Sequence, residues 1–266
     1  MARFFIDGKE IANNDFYSMV PDGAQTHNNI FRGQNLGALN DTHIANIQNG
    51  SFKDMFIGDY FSINGSNYVI AGINTKLLCG DKSLSNNHLL LMPDRFSKLD
   101  DGTVMRPNGQ TTHYMSDTDT TVGGFANTKL YKTYMPSIQS KLEADFGSHL
   151  LNFREIVSIH IDSSGAPDIA EWRDAKVSIP NEVMVYGSAL NGNNKNGSWY
   201  NVGDDDMQLP LFRLNPEEVN NHRDWAFWLR DIHSASEFTR TGAASDAGWI
   251  SASSTWAGVR AFFLIG

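Results

Sequence analysis

Short runs of apolar residues, separated by polar turn segments, recur along most of the chain. The runs at Tyr60–Ile63 and 68–70 flank the polar segment 64–67, a pattern that predicts a β-hairpin. Another run at 88–92 is followed by Pro93 and predicts a further buried strand. A short apolar run bounded by a turn signal fits a strand better than a core helix, which needs a longer periodic segment.

Helical periodicity marks two segments. In the first, Asn40 or Asp41 is placed to cap a short helix that contains Ile44 and Ile47. In the second, 128–146, apolar residues recur at four-residue spacing and define one face of a helix. The residues of that face are Leu130, Tyr134, Ile138 and Leu142.

The order of these elements predicts the fold class. Strand-like runs outnumber the helices, and the helices interrupt the strands instead of alternating with them. Regular alternation would predict a parallel sheet, so this order predicts an α+β fold with a mostly antiparallel sheet. Further apolar segments at 150–161, 183–186 and 208–214 add core-forming residues.

The C-terminal stretch 225–266 combines aromatic strand-like runs with small polar residues. Its last run, Phe262–Ile265, is predicted to pair within a sheet, because an exposed apolar edge would promote aggregation. Arg230 and Arg260 lie in or beside apolar runs, where an unpaired guanidinium is costly, so carboxylates such as Asp231 are the expected partners. The residues assigned to this structural framework are Trp225, Trp228, Arg230, Asp231 and Arg260.

Two motifs in this stretch carry a resemblance to a known family. Residues 225–231 read WAFWLRD, and residues 258–260 read GVR just before the last apolar run. The combination resembles an uncharacterised family of virion proteins from phages and prophages of Gram-positive bacteria, in which the second motif usually continues with proline. Here Ala261 takes that position, and the resemblance covers roughly residues 30–266. The upstream segments that share it are 30–37, 56–60 and 208–216.

The GVR motif before an apolar strand also resembles the closing sheet of the C-type-lectin-like fold, which phage tropism determinants and formylglycine-generating enzymes share. This resemblance implies a lectin-like C-terminal region at about 208–266. The Glu-Pro-Asn or Gln-Pro-Asp calcium motif of sugar-binding members is absent, and so is the cysteine pair of the formylglycine-generating enzymes. The resemblance therefore implies a scaffold, without either activity.

The chain divides by composition into an N-terminal arm and one body. Residues 1–29 are predicted to form an extended arm, and residues 30–266 a single α+β body. The arm is rich in polar turn residues, as at 21–29, and has too few apolar residues to hold a core. A segment of this kind becomes ordered only against a partner, so we expect the arm to mediate assembly.

Net charge narrows the classes of partner. The 266-residue chain has a net charge of −9, from 30 Asp plus Glu against 21 Lys plus Arg, and has no basic block. A nucleic-acid-binding face needs clustered cations, so nucleic acid is not an expected partner, and the same argument disfavours a membrane surface. No apolar run is long enough to span a bilayer.

The cysteine content points to a reducing compartment. Cys79 is the only cysteine, so no intrachain disulfide can form, and its apolar neighbours predict a small core residue. We expect synthesis in the host cytoplasm, followed by release as part of a virion.

None of the common patterns of a catalytic or metal site is present. The chain lacks a G-x-S-x-G elbow, a P-loop and a G-x-G-x-x-G turn, and no histidine pair has metal-ligand spacing. Asp117, Asp119 and the run 204–206 do not fit a calcium loop and are interpreted as solvated carboxylates. Glu171 and Glu237 are the acids near aromatics that glycoside hydrolysis would need. No catalytic residue, metal or cofactor is therefore predicted.

Four aromatic residues on polar segments are the candidate ligand-binding residues. Exposed aromatics can stack on sugar rings or anchor a protein interface, whereas most large aromatics pack in a core. Both interpretations stay open, with packing favoured residue by residue. The four residues are Trp199, Tyr200, Trp249 and Trp256. They define two predicted recognition loops, around 191–200 and 234–255.

These observations lead to one functional hypothesis with two alternatives. We expect a structural protein of a phage virion, either a head decoration or fibre or a tail-associated protein, without enzymatic activity. It would assemble with itself and other virion proteins through its arm, and its polar loops would adhere to host-surface carbohydrate. The alternatives are a glycan hydrolase of the cell wall that the virion carries, and a purely structural cement protein.

Overall fold

The protein has an α+β fold, as the sequence predicts. In the computed structural model, helices make up 25% of the chain and strands 30%, and each pair of named strands is antiparallel. Of residues 4–6, 9–11 and 13–15 the structure describes the backbone only. The other residues that it describes are 16–94, 97, 113–192, 207–219, 226–242 and 246–266.

The strands share a short length and an antiparallel arrangement. In chain order they are β1 (Phe4–Ile6), β2 (Lys9–Ile11), β3 (Tyr60–Ile63), β4 (Ser66–Ile73), β5 (Leu89–Pro93), β6 (Phe153–Ile161), β7 (Pro167–Ala175), β8 (Val177–Ser178), β9 (Trp228–Ile232), β10 (Glu237–Thr241), β11 (Ala247–Ser251) and β12 (Phe262–Ile265).

Helices connect and cover the strands. The α-helices of the described residues are α1 (Asn13–Ser18), α2 (Ala24–His27), α3 (Asp41–Gln48), α4 (Met135–Phe146), α5 (Glu182–Tyr186) and α6 (Pro210–Leu214). A π-helical turn at Leu130–Tyr134 leads directly into α4. Single 3-10 turns lie at Phe125–Asn127, Gly147–His149 and Pro216–Glu218. Within the described parts of the chain, no helix combines the length and the apolar character needed to cross a membrane.

A five-stranded sheet in the order β3-β4-β5-β12-β8 forms the centre of the molecule. The last strand, β12, lies between β5 and β8, so the predicted pairing of Phe262–Ile265 is confirmed. All residues of β5 and β12 are buried. Helix α4 covers this sheet, where the Phe146 ring lies 5.0 Å from the rings of both Tyr68 and Phe263.

The second sheet contains three strands in the order β11-β10-β9, and β6 and β7 form a separate long hairpin. The two regions are joined by a buried ion pair between Arg230 of β9 and Glu155 of β6, with Nη1 and Oε2 2.8 Å apart. Trp228, also on β9, is fully buried, as predicted.

Both C-terminal arginines pair with carboxylates, as predicted, but the partners are Glu155 and Glu218 and not the suggested Asp231. Arg230 contacts Glu155, and Arg260 contacts the Glu218 carboxylate at 2.6 Å. Successive side chains of a strand point to opposite faces, so Asp231 is directed away from its neighbour Arg230. The Asp231 carboxylate accepts the backbone N–H of Glu182 at 2.6 Å instead. Trp225 lies outside the described residues.

The local predictions near residues 40–73 are confirmed. The Asn40 side chain caps α3 by accepting the His43 N–H at 3.0 Å, and Ile44 and Ile47 are buried. Strands β3 and β4 form the expected hairpin around the turn at 64–65.

Part of the predicted arm contacts the body. His27 of α2 is buried and stacks on Phe56 with ring centroids 4.3 Å apart. The Asn28 side chain donates to the carbonyl of Ile73 at 2.7 Å and accepts its N–H at 2.9 Å. Among the described strands, β1 and β2 are hydrogen-bonded only to each other. An assembly role for residues 1–29 stays a prediction.

Candidate binding site

An exposed tryptophan on β11 is supported by a histidine. The Trp249 side chain is 45% exposed. Its indole stacks on the His233 imidazole, with ring centroids 4.0 Å apart and ring planes 13° apart. On β10 the residue directly opposite Trp249 is Thr239, which is fully buried. Trp249 therefore rests on protein atoms and still presents nearly half of its surface to solvent.

A hydrogen bond fixes the orientation of the supporting histidine. His233 Nδ1 lies 2.7 Å from the carbonyl oxygen of Asn191. A carbonyl oxygen only accepts hydrogen bonds, so Nδ1 carries a proton and donates it. This bond holds the imidazole ring, and through it the indole plane, in one orientation.

The segment that contains Asn191 is held by one buried carboxylate. Glu182, at the start of α5, is fully buried and accepts the three backbone N–H groups of residues 190–192 at 2.8, 2.9 and 2.8 Å. These charge-assisted bonds compensate for the desolvation of the carboxylate. A side chain at Gly192 would not fit, because its Cβ would lie 2.9 Å from the Cβ of Asp231. The base of the predicted recognition loop is thus fixed beside Trp249.

The turn between β9 and β10 is held from two sides. Thr121 donates its N–H to Ala235 O at 3.0 Å and its hydroxyl to Ser234 O at 2.9 Å. Gly165, with φ of +81°, approaches from the β6–β7 turn so closely that a Cβ there would lie 2.5 Å from Ala235 N. His233 immediately precedes this turn, so the ring on which Trp249 stacks is attached to a firmly held part of the backbone.

A second exposed tryptophan follows β11. Trp256 is 73% exposed and belongs to the loop between β11 and β12. Ser253 in this loop donates its hydroxyl to Asp119 at 2.6 Å and its N–H to the same oxygen at 3.1 Å. These bonds lower the pKa of the Asp119 carboxyl, with the hydroxyl bond as the largest cause. The loop 251–258 and the segment 116–124 are thereby joined.

Two of the four predicted ligand-binding residues are described, and both are exposed. Trp249 and Trp256 do not pack in the core, so the packing interpretation is wrong for them. The other two, Trp199 and Tyr200, lie outside the described residues. The structure does place Asn191, which begins the predicted recognition loop, against His233. Sequence reasoning missed His233 and Glu182, since neither lies in a recognisable motif.

The candidate carboxylates form hydrogen bonds with neighbouring residues. Glu171 bonds to the Arg173 guanidinium, and Glu237 accepts the Ser234 hydroxyl at 2.8 Å. Asp117 pairs with Lys129 at 2.6 Å. Among the described residues, no group of three His, Cys, Asp or Glu side chains is placed to hold a metal ion. The run 204–206 lies outside those residues.

The prediction that Cys79 is a core residue is wrong. Its side chain is only partly buried and lines an open pocket. The neighbouring Leu78 is 69% exposed and has a φ of +61°. The segment therefore turns at the surface instead of continuing into the core.

Comparison of the chain with family models, with curated proteins and with solved structures finds no match.

Proposed function

We propose that the protein is a non-catalytic binding protein that adheres to carbohydrate through the surface around Trp249. The observation that carries this proposal is an exposed indole held flat on His233 at the surface of a fixed sheet. Tryptophan offers a large amphipathic contact surface at low entropic cost, and pre-organisation lowers the cost of binding further.

We also propose that the protein is a structural component of a phage virion. This part rests on the resemblance carried by residues 225–231 and 258–260. Repetition of the surface on a symmetric particle would convert weak single contacts into avidity. A surface with one or two exposed tryptophans is expected to bind weakly as a single copy, which is consistent with that use.

Substitution of Trp249 tests the proposal directly. Trp249→Ala should abolish adherence to host cells and to a glycan array, with Trp256→Ala giving a smaller loss. Trp172→Ala is a matched control, because Trp172 is a partly buried tryptophan on the β6–β7 hairpin. The melting temperature should move by only a few degrees, as expected for a loss below about 1 kcal/mol.

Two outcomes would count against this function. Unchanged adherence with unchanged stability would place the binding surface away from Trp249, and a lack of adherence in the wild-type protein would favour the cement role. Hydrolysis of cell-wall glycan by the purified protein, lost on substitution of Glu171 or Glu237, would favour the enzyme.

A further inference from the structure

A polar pocket of about 370 Å³ adjoins the loop that carries Trp256. One wall is the segment 116–124 and the other is the helical segment 127–133. Small-molecule pockets span about 300–1,000 Å³, so this one has room for a single sugar-sized group. It is outside the Trp249 contact surface and is not explained by the packing of the core.

Asn127 holds the two walls together. Its Nδ2 donates to Val122 O at 2.8 Å, and its Oδ1 accepts a hydrogen bond from the Lys132 ammonium. The first wall is also fixed to the body, since a Cβ at Gly124 would lie 2.3 Å from Ser158 O. The pocket is therefore formed before any ligand arrives.

One uncompensated positive charge lines the pocket. The charged lining groups are Asp117, Lys129 and Lys132, which together carry a net charge of +1. Lys129 pairs with Asp117 at 2.6 Å, and this hydrogen bond is the largest cause that raises the pKa of Lys129 and lowers that of Asp117. Lys132 contacts only the neutral amide of Asn127 and pairs with no carboxylate of the described residues.

Hydroxyl groups dominate the rest of the lining. They can both donate and accept hydrogen bonds, which suits a ligand that itself carries many hydroxyls. The hydroxyl residues that can contact a ligand here are Ser116, Thr118, Thr120 and Thr133, whereas the buried Thr128 hydroxyl donates to Phe125 O at 2.8 Å.

The backbone that presents Lys132 is also unusual. Lys132 and Thr133 lie on the π-helical turn Leu130–Tyr134. π-Helical turns are rare and occur frequently at functional sites.

We propose that this pocket binds the negatively charged group of an anionic glycan, with Lys132 as the charged contact and the hydroxyls as contacts to the sugar ring. The inference rests on the proposed carbohydrate adherence and names its ligand class. Asp119 bonds to Ser253 and Thr121 bonds to Ser234, so the first pocket wall is tied to the loop that follows β11 and to the turn between β9 and β10.

Titration with single sugars tests the pocket separately from the surface around Trp249. Glucose, glucose 1-phosphate, glucuronate and inorganic phosphate would be titrated into the intact protein and followed by NMR. The anionic sugars should bind about tenfold or more tightly than glucose, as for one hydrogen bond to a charged group. Lys132→Gln should remove that preference, and Lys132→Arg should retain it. Comparison of glucose 1-phosphate with glucuronate identifies whether phosphate or carboxylate is preferred.

Lys53→Gln is the matched control, because Lys53 is exposed and has no ion-pair partner among the described residues. An equal loss in Lys53→Gln, an unchanged preference in Lys132→Gln, or equal affinity for inorganic phosphate and glucose 1-phosphate would overturn the inference. Failure of the proposed function has a different signature, which is unchanged adherence to glycan polymers in Trp249→Ala.

Discussion

The central sheet and the outer three-stranded sheet use aromatic residues in opposite ways. In the central sheet, Phe263 is fully buried and packs against Tyr68 and Phe146. In the outer sheet, Trp249 is 45% exposed, and Trp256 beyond it is 73% exposed. Both regions have strands of similar length and aromatic content. Composition alone therefore does not separate buried aromatic residues from exposed ones.

The two strands also differ in their position within a sheet. Strand β12 has a hydrogen-bonded neighbour on each side, but β11 is an edge strand that, among the described strands, pairs only with β10. Exposed edge strands invite pairing with other chains, and charged residues nearby discourage it. Here Gly248 leaves room for the Arg240 guanidinium to lie against β11, with its Cζ 3.1 Å from the position of a Cβ. The edge strand therefore carries Trp249, and the charge of Arg240 beside it disfavours pairing with another chain.

Removal of the central strand β12 should have the largest effect on stability. Deletion of residues 262–266 strips several buried side chains, each worth roughly 2–5 kcal/mol. The sum exceeds a typical domain stability of about 5–15 kcal/mol, so the truncated chain should not fold. Circular dichroism and thermal melting would show this, and a normal melting curve would make β12 peripheral.

Loss of the buried carboxylate at Glu155 should have the next largest effect. Glu155→Ala leaves the Arg230 guanidinium buried beside an empty position, at a cost of about 3–5 kcal/mol. Urea denaturation measures this cost. The double variant Glu155→Leu with Arg230→Met should recover much of the loss, because no buried charge then remains. A single-variant loss below about 1 kcal/mol would show that Arg230 is solvated or has an equivalent partner.

The stability of the central sheet should depend on pH through His88, which precedes β5. Burial lowers the pKa of His88 to about 4 from the usual 6.5. Its Nε2 accepts the Lys76 N–H at 3.1 Å in the neutral form. Between pH 6.5 and 4 the unfolded chain takes up a proton that the folded chain does not, so stability falls as pH decreases, by on the order of 3 kcal/mol.

Denaturation across this pH range in the wild type and in His88→Gln isolates that contribution. The variant should show a shallower decline toward pH 4, and identical slopes would exclude His88 as the cause.

The smallest effect on stability is expected in the outer sheet. Trp249→Ala should change the free energy of unfolding by less than about 1 kcal/mol, since its side chain is 45% exposed. The same substitution should abolish adherence. A large fall in melting temperature would place Trp249 with Phe263 as a scaffold residue and remove the contrast between the two sheets.

The sequence alone was sufficient to predict the features that depend on residues close to each other in the chain. The Asn40 cap, the β3–β4 hairpin and the strand at Phe262–Ile265 all have local signals. Strand β7 was not predicted, because charged residues interrupt its short apolar pattern on the face that lies toward solvent.

Long-range partners could not be predicted. Glu155 meets Arg230 across 75 positions of sequence, and His233 meets Asn191 across 42. The aromatic residues of the candidate site could be named from sequence, but not their exposure. The exposure of Trp249 depends on which distant segments pack around β11, and no local pattern in the sequence contains that information.

The pairing of β12 with β5 has a consequence for the folding rate. Leu90 and Leu264 are direct partners, although most of the chain lies between them. Closing so long a loop lowers the conformational entropy before the contacts that offset this loss can form. Sheets built from distant segments therefore form slowly. Before β12 has paired with it, the leucine-rich strand β5 lacks one of its two neighbours and has an unpaired edge that can bind other chains. High yields of folded protein should therefore depend on low concentration and low temperature during synthesis, or on chaperones.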